Sequence, residues 1–582
     1  MRRRRIVRRE PVEGCETLGS CHPVLARVYA RRGVTDRGAL AYRLSRLAPV
    51  EALKGIEPAV QLLCRVMEAD GRILVVGDFD ADGATSTAVA VRALRAMGGR
   101  VDYLVPNRFE YGYGLTPEIV AVAAARAPDL IVTVDNGISS LAGVEAAAAA
   151  GIPVLITDHH LPGRALPAAA AIVNPNQPGD GFPSKHLAGV GVIFYVMLAL
   201  RRRLRESGWF AGRGMEEPNL AGLLDLVALG TVADVVPLDY NNRILVAQGL
   251  ARIRAGQACP GIRALLRVAG REEAGITAAD LGFCLGPRLN AAGRLQDMSL
   301  GIACLLSDDE ATALDGARTL DTLNRERRHI EGRMQEEALG YLDGLIPEEE
   351  RSGLPWGLCL YDPGWHQGVI GILASRIKDR LHRPVIAFAR VGEGEIKGSA
   401  RSVSGLHIRD ALDEVAARHP GLMGRFGGHA MAAGLSLREE DYAAFCAAFD
   451  QVVRDHLEEE DLQGVVFSDG ELAPGEMTLD TALALRAGGP WGQGFPEPVF
   501  DGTFRVREQR VVGERHLKLR LERQGGPPLD AIAFNSEAVV ASGADVRLAY
   551  RPDVNEYQGM RRLQLVVEYM EPARQDADTS LP

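Results

Sequence analysis

The chain has 582 residues, of which 47% are hydrophobic and 24% charged, and a formal net charge of −10. This length exceeds one hydrophobic core, so three or four domains are expected. The negative charge argues against tight non-specific binding to duplex nucleic acid, although local basic patches decide such binding.

Residues 1–50 are rich in arginine and are expected to form an N-terminal extension that packs on the first domain. We expect no secretory signal, because no apolar h-region follows the first arginines, and no membrane span, because every long apolar run is interrupted. The eight cysteines are scattered without a C-x-x-C pair, which favours free thiols in a reducing cytoplasm and disfavours a zinc site.

Residues 51–255 alternate strand and helix patterns, which predicts a domain with a parallel α/β sheet. The predicted strands are 73–77, 101–105, 130–134, 153–157 and 170–173. The predicted helices are 84–97, 116–126, 141–150 and 188–205.

The first strand of this domain leads into Asp78, Asp80 and Asp82. Alternate residues of an extended segment share one side, so the three carboxylates are expected to lie together. They would repel each other unless a cation lay among them, and Mg²⁺ or Mn²⁺ prefers oxygen ligands. The alternative is a polar strand-to-helix turn in which Asp80 or Asp82 is the helix N-cap.

Two other sites share this spacing and are rejected. An EF-hand loop would need a carboxylate at its twelfth position, where Val89 stands. An aspartyl phosphatase would need Thr at Ala84, and it would leave Asp158, His159 and His160 unexplained.

Two further strands end in polar residues: Asp135-Asn136-Gly137 follows strand 130–134, and Asp158-His159-His160 follows strand 153–157. The carboxyl ends of parallel strands line one edge of a sheet, so all these clusters are expected at the same edge. Asp234, after the apolar helix 220–229, is a fourth acidic candidate. The pattern favours a metal or phosphate site over capping residues.

These four segments resemble the successive motifs of the DHH phosphoesterase superfamily. Segments Gly364–Arg376, Lys397–Ser402 and Phe426–Gly434 resemble its DHHA1 domain. Together with Pro287–Arg294, they are similar to the branch of single-strand-specific exonucleases. The resemblance covers most of the chain, with the motifs in the expected order.

The resemblance implies two divalent ions, Mn²⁺ or Mg²⁺, bridged by Asp135. It assigns one ion to Asp80 and Asp135, and the other to Asp82, Asp135, His159 and Asp234. Asp78 is either a further ligand or a carboxylate that orients the ligands.

The resemblance also places phosphate-binding groups around these ions. His160 is expected to face the scissile phosphate, and Asp158 to hold the histidine pair. Asn107 and Arg108, after strand 101–105, are further candidates for phosphate contact.

Residues 256–349 are predicted to form a helical connector with a long helix that begins near a capping box of Ser307 and Glu310. One face of this helix carries several arginines, which indicates either a solvated surface or a helix that joins two lobes of a nucleic-acid groove.

A second α/β domain, of the DHHA1 type, is predicted for residues 350–460. By resemblance, it captures a terminal phosphate with Arg376, Ser399, Arg401 and His429, assisted by Arg288 and Arg294. A glycine-rich loop precedes His429 and permits close backbone approach to a phosphate; a structural turn is the alternative.

Residues 464–570 change to an all-β pattern, and 571–582 form a tail. Alternation in His516–Leu521 predicts an OB-like β-barrel strand with His516, Lys518 and Arg520 outward. Such barrels commonly bind single strands, and a barrel used only for packing is the alternative.

The resemblance therefore implies a metal-dependent 5′→3′ exonuclease that hydrolyses single-stranded DNA to mononucleotides in recombination and repair. It implies a cytoplasmic monomer whose partners are single-strand-binding protein and a RecQ-type helicase. The alternatives are a phosphodiesterase for oligoribonucleotides or cyclic dinucleotides, and a non-catalytic single-strand-binding scaffold.

Overall fold

The protein forms two compact units in a computed structural model. Unit A comprises residues 11–324 and 478–498, and unit B comprises residues 1–10, 325–477 and 499–582. The structure describes residues 4–10, 18, 21–106, 114–345, 354–513, 516–523, 526–534, 536, 540–557 and 559–573.

The strands are β1 (Arg5–Arg8), β2 (Arg72–Val76), β3 (Arg100–Leu104), β4 (Leu130–Val134), β5 (Val154–Thr157), β6 (Ala171–Val173), β7 (Leu358–Tyr361), β8 (Val385–Gly392), β9 (Glu395–Arg401), β10 (Phe426–Gly428), β11 (Ala432–Arg438), β12 (Val465–Ser468), β13 (Phe500–Val512), β14 (His516–Glu522), β15 (Leu529–Ala533), β16 (Asp545–Tyr557) and β17 (Met560–Pro572). The helices are α1 (Pro23–Ala30), α2 (Ile56–Glu68), α3 (Ala81–Ala96), α4 (Pro117–Ala124), α5 (Leu141–Ala149), α6 (Gly189–Glu206), α7 (Trp209–Gly212), α8 (Leu224–Ala233), α9 (Tyr240–Arg254), α10 (Pro260–Val268), α11 (Ala278–Asp280), α12 (Gly286–Leu295), α13 (Ser299–Leu306), α14 (Glu310–Leu345), α15 (Ile370–Leu381), α16 (Ile408–Arg418), α17 (Tyr442–His456) and α18 (Leu479–Ala487).

Unit A is built on a five-stranded parallel sheet in the order β3-β2-β4-β5-β6. The predicted parallel sheet is confirmed, and each strand lies within about a residue of its predicted bounds. Strands β4 and β5 are buried along their whole length, as expected for a parallel sheet covered on both faces.

Helix α3 begins at Ala81, three residues before its predicted start at 84. Asp80 is its N-cap, and its side chain accepts hydrogen bonds from the amides of Asp82 and Gly83. Asp82 therefore lies in the first helical turn, and the expected extended alternation of the three carboxylates is wrong. The capping role and the polar cluster are combined in one segment.

Residues 478–498 belong to unit A, although the sequence placed them in the C-terminal β domain. The Phe495 ring stacks on Trp491 with centroids 5.1 Å apart. The hydroxyl of Tyr29 donates a 2.6 Å hydrogen bond to the carbonyl of Gly488. The Tyr29 ring also lies 5.8 Å from that of Trp491, so α1 and this segment are in direct contact.

Unit B contains a mixed five-stranded sheet in the order β10-β11-β9-β8-β7, packed with α15, α16 and α17. Phe388, Phe445 and Phe449 are fully buried in its core. This is the second α/β domain that the sequence predicted.

The C-terminal part of unit B is a closed five-stranded barrel, β13-β14-β15-β17-β16. Leu517, Leu519 and Leu521 of β14 are buried, which confirms the predicted alternation. Tyr550 is buried in the barrel core and is not exposed for contact with bases.

The N-terminal strand β1 pairs in parallel with β12, so its residues lie in unit B and not on the first α/β domain as expected. Arg8 donates two hydrogen bonds of 2.9 Å to the buried carboxylate of Asp501 in β13. A charged anchor explains why this arginine-rich segment is ordered there.

Helix α14 begins one residue after Asp309, whose side chain accepts a hydrogen bond from the amide of Thr312. Asp309, rather than the predicted Ser307, therefore caps this helix. Among the described residues, no helix has the length and apolar character needed to span a membrane.

Candidate metal centre and phosphate pocket

The carboxyl ends of β2, β4 and β5 meet at one edge of the unit A sheet, since β4 pairs with both neighbours. Asp78 follows β2, Asp135 follows β4, and Asp158-His159-His160 follows β5. Asp234 joins them from the C-terminal end of α8, where it is the C-cap. The predicted convergence of the acidic clusters is confirmed.

The ligand atoms of these residues lie close enough to surround metal ions. Nε2 of His159 lies 3.1 Å from Asp135 Oδ1, 3.4 Å from Asp234 Oδ2 and 4.0 Å from Asp82 Oδ2.

A second group comprises Asp78, Asp80 and Asp135, whose ligand atoms lie within 4.8 Å of one another. Asp135 also forms a group with His159 and His160, so it belongs to two of the candidate ligand groups.

The electrostatics of this cluster fit divalent cations. Burial and then the negative charges of Asp82 and Asp80 raise the pKa of Asp135 well above its usual value. The same two causes, burial first, raise the pKa of Asp234. Burial and the charge of Asp80 raise the pKa of Asp82 to about 7. Buried carboxylates that repel one another need a cation to ionise together, and an oxygen-rich set with one imidazole suits Mn²⁺ or Mg²⁺.

The N-terminus of α6 orients Asp82. The amides of Gly189 and Val190 donate hydrogen bonds of 2.7 and 3.0 Å to its two carboxylate oxygens. A Cβ atom at Gly189 would lie 2.6 Å from the Cβ of Asp135, so only glycine permits this approach. The sequence predicted the helix but gave no sign that its first amides bind a carboxylate from another segment.

Helix α12 supports the loop that carries Asp78 and Asp80. Asn290 Oδ1 accepts a 2.8 Å hydrogen bond from the amide of Ala81. A Cβ atom at Gly293 would lie 1.8 Å from the carbonyl oxygen of Phe79. The Pro287–Arg294 motif therefore contributes loop support, a role that the sequence did not predict.

Asp135 has a left-handed backbone conformation, with φ at 62°. Asn136, which is fully buried, donates hydrogen bonds to the carbonyls of Val76 and Val134 and so ties this turn to two strands. Left-handed backbone at a residue other than glycine is strained and is concentrated at functional sites.

His160 is held by Asp158 through a contact of 2.7 Å between Nδ1 and Oδ1. Burial opposes protonation of His160, but the hydrogen bond and charge of Asp158 outweigh it and raise the pKa to about 9. The raised pKa favours the cationic form of the imidazole at neutral pH. Asn174 and Asn176 bind the carbonyls of His160 and His159 and fix the histidine turn.

A partly buried guanidinium lies on the β9 strand of unit B. Arg401 Nη1 donates hydrogen bonds to Ser399 Oγ and to the carbonyl of Ala400. Burial lowers the pKa of Arg401, and among the described residues it forms no ion pair. A Cβ atom at Gly371 would lie 2.8 Å from Arg401 Nη2, so α15 begins directly against this group. A cation in this setting is suited to an anion.

The loop with His429 joins the same sheet, because β10 pairs with β11 and β11 pairs with β9, which carries Ser399 and Arg401. Gly428 has a φ of 151°. A Cβ atom there would lie 2.4 Å from the carbonyl oxygen of Ala432, so this turn needs glycine.

Three predicted phosphate-binding arginines already have local contacts. Arg288 is buried, with Nη2 2.9 Å from Asp321, and also binds the carbonyl of Cys284. Arg376 Nε donates to Glu331 but the side chain stays largely exposed. Arg294 lies at the end of α12.

Asn107 and Arg108 lie outside the described residues. The three basic residues predicted for the barrel project from the outer face of β14. The His516 ring makes an edge contact with Phe534, whose side chain is exposed. Arg520 lies 3.3 Å from Asp530, which partly neutralises its charge.

The sheet, its carboxylate–histidine edge and the second α/β domain define a DHH phosphoesterase. The family model described as "DHH family, N-terminal domain" matches residues 72–231. The models "DHHA1 domain" and "RecJ OB domain" match residues 357–455 and 468–569.

The chain is 59% identical over 571 residues to the single-stranded-DNA-specific exonuclease RecJ of Dickeya dadantii, covering 97% of this chain and 99% of that protein. The crystal structure of Thermus thermophilus RecJ with Mn²⁺ is 32% identical, with a TM-score of 0.81 over 98% of this chain and 79% of the other. The Mg²⁺ complex of that protein is 30% identical, with a TM-score of 0.76 over 98% and 78%. The chain belongs to the RecJ family of single-stranded-DNA-specific exonucleases.

Proposed function

We propose that the protein is a metal-dependent 5′→3′ exonuclease that hydrolyses single-stranded DNA to mononucleotides. The convergence of Asp82, Asp135, His159 and Asp234 around one point carries this proposal. The proposed ligands are Asp78, Asp80 and Asp135 for one divalent ion, and Asp82, Asp135, His159 and Asp234 for the other. Bound ions of this kind supply a hydroxide nucleophile at neutral pH and stabilise negative charge on the phosphate.

The protein's own groups orient the reaction. Asp158 favours the cationic form of His160, and a cationic imidazole beside the proposed metal ligands is suited to neutralise a non-bridging oxygen of the scissile phosphate. Asn174 and Asn176 fix the backbone of the histidine pair, so the imidazole needs little reorganisation when substrate binds.

End recognition is assigned to the pocket of unit B. A terminal phosphate carries more charge than an internal phosphodiester, and a partly buried Arg401 with Ser399 beside it favours the more highly charged group. Arg288, Arg294, Arg376 and His429 are proposed as further contacts of the strand. For Asn107 and Arg108 we propose the phosphate contact that the sequence predicted.

The barrel argues for a long substrate. The outward side chains of His516 and Lys518 and the exposed ring of Phe534 offer charge and a stacking surface, which suit a single strand. A phosphodiesterase for short oligoribonucleotides or cyclic dinucleotides would not need this barrel, and a silent scaffold would not need the assembled carboxylates.

We propose the domain limits that the sequence predicted: 51–255 for the DHH domain, 256–349 for the connector, 350–460 for the DHHA1 domain and 464–570 for the barrel region. The regions matched by the three family models lie inside these limits. We also propose a cytoplasmic monomer that acts with single-strand-binding protein and a RecQ-type helicase.

One assay tests this function: single-stranded DNA and RNA, labelled at either end, incubated with Mn²⁺, Mg²⁺ or EDTA. We expect mononucleotides to be released from the 5′ end of DNA with metal and nothing with EDTA. Degradation from the 3′ end, or preference for RNA dinucleotides, would contradict the proposal and support the phosphodiesterase alternative.

A further inference from the structure

Unit A contains a cavity formed by residues other than the proposed metal ligands. Its volume is about 410 Å³, and it lies between the segment after α8, the turn that contains α11, and the loop after α18. Its lining is mainly apolar and includes Val232, Val235, Leu250, Pro490, Trp491 and Pro496. A cavity of this size is adequate for a small organic ligand.

Two apolar residues on this cavity are unusually exposed. Phe283, in a π-helical turn, is 78% exposed, and Val235 is 65% exposed. Val235 also has a left-handed backbone, with φ at 59°. For a β-branched residue this conformation is strained, and such strain is concentrated at binding and catalytic sites. Val235 directly follows the metal-site residue Asp234.

Two guanidinium groups lie on the same cavity. Arg254 donates through Nε and Nη2 to the carbonyl of Ile276, at 2.9 and 2.7 Å. Arg486 donates through Nη2 to the adjacent carbonyl of Gly275, at 3.1 Å. The two cations are thus held side by side by neighbouring carbonyls.

The nearest carboxylate that acts on Arg254 is that of Asp280, which is itself paired with Arg271. Within the described residues, neither Arg254 nor Arg486 forms an ion pair, although Glu497 also lines the cavity. Burial and then the charge of Arg486 lower the pKa of Arg254. Adjacent guanidinium groups with free N–H donors are suited to a phosphate, which carries up to two negative charges and several acceptor oxygens.

We propose that this cavity binds a nucleoside phosphate, with its base against Phe283 and Val235 and its phosphate on Arg254 and Arg486. Trp491 contributes an apolar wall to the cavity. Its indole N–H already donates to the carbonyl of Leu485, and one side of its ring stacks on Phe495. This inference rests on the proposed nuclease function, because that function determines which ligand is present. The ligand is either the released mononucleotide or a nucleotide unit within the DNA strand.

The test uses the full-length protein in EDTA. The photoreactive probe is 5-iodo-2′-deoxyuridine 5′-monophosphate, and crosslinked peptides are mapped by mass spectrometry. We expect a crosslink at Phe283 or Trp491 that is lost in Phe283→Ala. By calorimetry, Arg254→Gln and Arg486→Gln should each weaken binding of deoxyadenosine 5′-monophosphate to this site by about tenfold.

Two matched variants identify the site. Arg267→Gln removes an exposed arginine outside the cavity lining and should leave the crosslink and the affinity unchanged. Arg401→Ala removes the phosphate pocket of unit B and should also leave the cavity crosslink intact. A crosslink that depends on Arg401 and not on Arg254 would overturn the assignment.

An oligonucleotide arm distinguishes the two sources. If a strand with an internal 5-iodouracil crosslinks at Phe283, the site takes part of the DNA; if only the mononucleotide does, it takes the product. No cavity crosslink with either probe, or binding of an acidic apolar peptide without nucleotide binding, would refute the proposal. Retained strand cleavage in Arg254→Gln would show that such a failure leaves the proposed nuclease function intact.

Discussion

The Asp135 side chain is buried, its backbone is left-handed, and neighbouring carboxylates repel its charge. Replacing this carboxylate should therefore change both activity and stability. We expect Asp135→Asn to lower the rate of DNA hydrolysis by roughly 10³-fold or more, because it removes a carboxylate shared by both ligand groups. In EDTA, the same variant should be more stable than the parent protein, since it removes a buried charge that its neighbours repel. Steady-state cleavage and thermal unfolding in EDTA measure the two effects.

The sign of the second effect follows from the raised pKa values of Asp135 and Asp234. A carboxyl group whose pKa is raised by folding destabilises the folded state above its unfolded pKa, so the metal-free protein should become more stable as the pH falls from 8 towards 5. Asp129→Asn, at an exposed acid before β4, is the control and should preserve cleavage. A near-normal rate with Mn²⁺ in Asp135→Asn would refute the bridging role.

The two adjacent histidines should be separable. His159→Ala is expected to weaken binding at one metal site, because its Nε2 lies among Asp135 and Asp234. His160→Ala should retain metal affinity but lower the cleavage rate, by about 10²-fold if it stabilises charge on the phosphate. Calorimetric titration with Mn²⁺ distinguishes the variants, and equal loss of metal in both would disprove the assignment.

Arg401→Ala should affect binding more than chemistry. Loss of one phosphate contact should reduce the slope of log affinity against log salt by about 0.7 on a single strand. The preference for a 5′-phosphorylated end should also fall. Arg409→Ala, at an exposed residue of α16, is the matched control. A salt slope equal to that of the parent protein would contradict a phosphate contact.

At the residue scale, the sequence predicted the cluster of candidate metal ligands, because strand ends and acidic motifs are local signals. It did not show the groups that orient the ligands. The amides of Gly189 and Val190 reach Asp82 across more than a hundred residues, and Asn290 reaches Ala81 from a distant helix. These contacts depend on tertiary packing, for which one sequence contains no direct signal.

At the scale of elements, β1 shows how a charged segment becomes part of a fold. Asp501 is fully buried and accepts hydrogen bonds from Arg8, Ser468 and Arg547. We expect Arg8→Ala to destabilise the barrel by about 1–2 kcal/mol, because one charged partner is lost while Arg547 remains. Chemical denaturation of the full chain measures it, with Arg5→Ala in the same strand as the control.

The pH dependence of this anchor has a definite direction. Burial raises the pKa of Asp501, but the hydrogen bonds of Arg8 and Ser468 outweigh it, so the net pKa is lowered. The stability that it contributes is therefore present at neutral pH and is lost as the pH falls below the usual carboxyl range. If Arg8→Ala and the parent protein showed equal stability at pH 7, the anchor would not contribute.

Elements with local signals were predicted well, and those with distant partners were not. The parallel strands were found from apolar runs, and the alternation of β14 gave its inward and outward faces. The start of α3 was placed too late because Asp80 serves both as a cap and as a site residue. The pairing of β1 with β12 joins segments more than 450 residues apart, and no local pattern indicates it.

At the scale of the whole molecule, domain order along the chain does not coincide with the compact units. The sequence shows a change from α/β to all-β character after residue 464, which suggests one C-terminal domain. Residues 478–498 nevertheless complete unit A, since Phe495 is buried and lies 4.3 Å from the Arg243 guanidinium. A composition change marks where secondary structure changes, and it does not identify which core a segment joins.

Two C-terminal truncations test this division. A chain of residues 1–498 keeps all of unit A, whereas a chain of residues 1–463 loses α18 and the aromatic loop after it. We expect the shorter chain to expose Tyr29 and to lose about 3 kcal/mol or more of unit A stability, as for removal of large buried aromatic groups. Hydrogen exchange should then be faster in α1 and α9 of the 1–463 chain and unchanged in the 1–498 chain.

The same pair separates stability from substrate binding. The 1–498 chain retains every proposed metal ligand and the Arg401 pocket, so it should still cleave short oligonucleotides. It lacks the basic face of β14, and we expect weaker binding of long single strands and shorter runs of degradation. Gel-shift affinity and product lengths on a long labelled strand measure this loss, with Lys518→Ala in the full chain as a milder variant.

Equal protection of α1 and α9 from hydrogen exchange in both truncated chains would show that residues 478–498 do not stabilise unit A. Undiminished affinity and processivity in the 1–498 chain would assign the barrel to protein packing or partner docking, because its basic face would then make no contribution to the DNA strand.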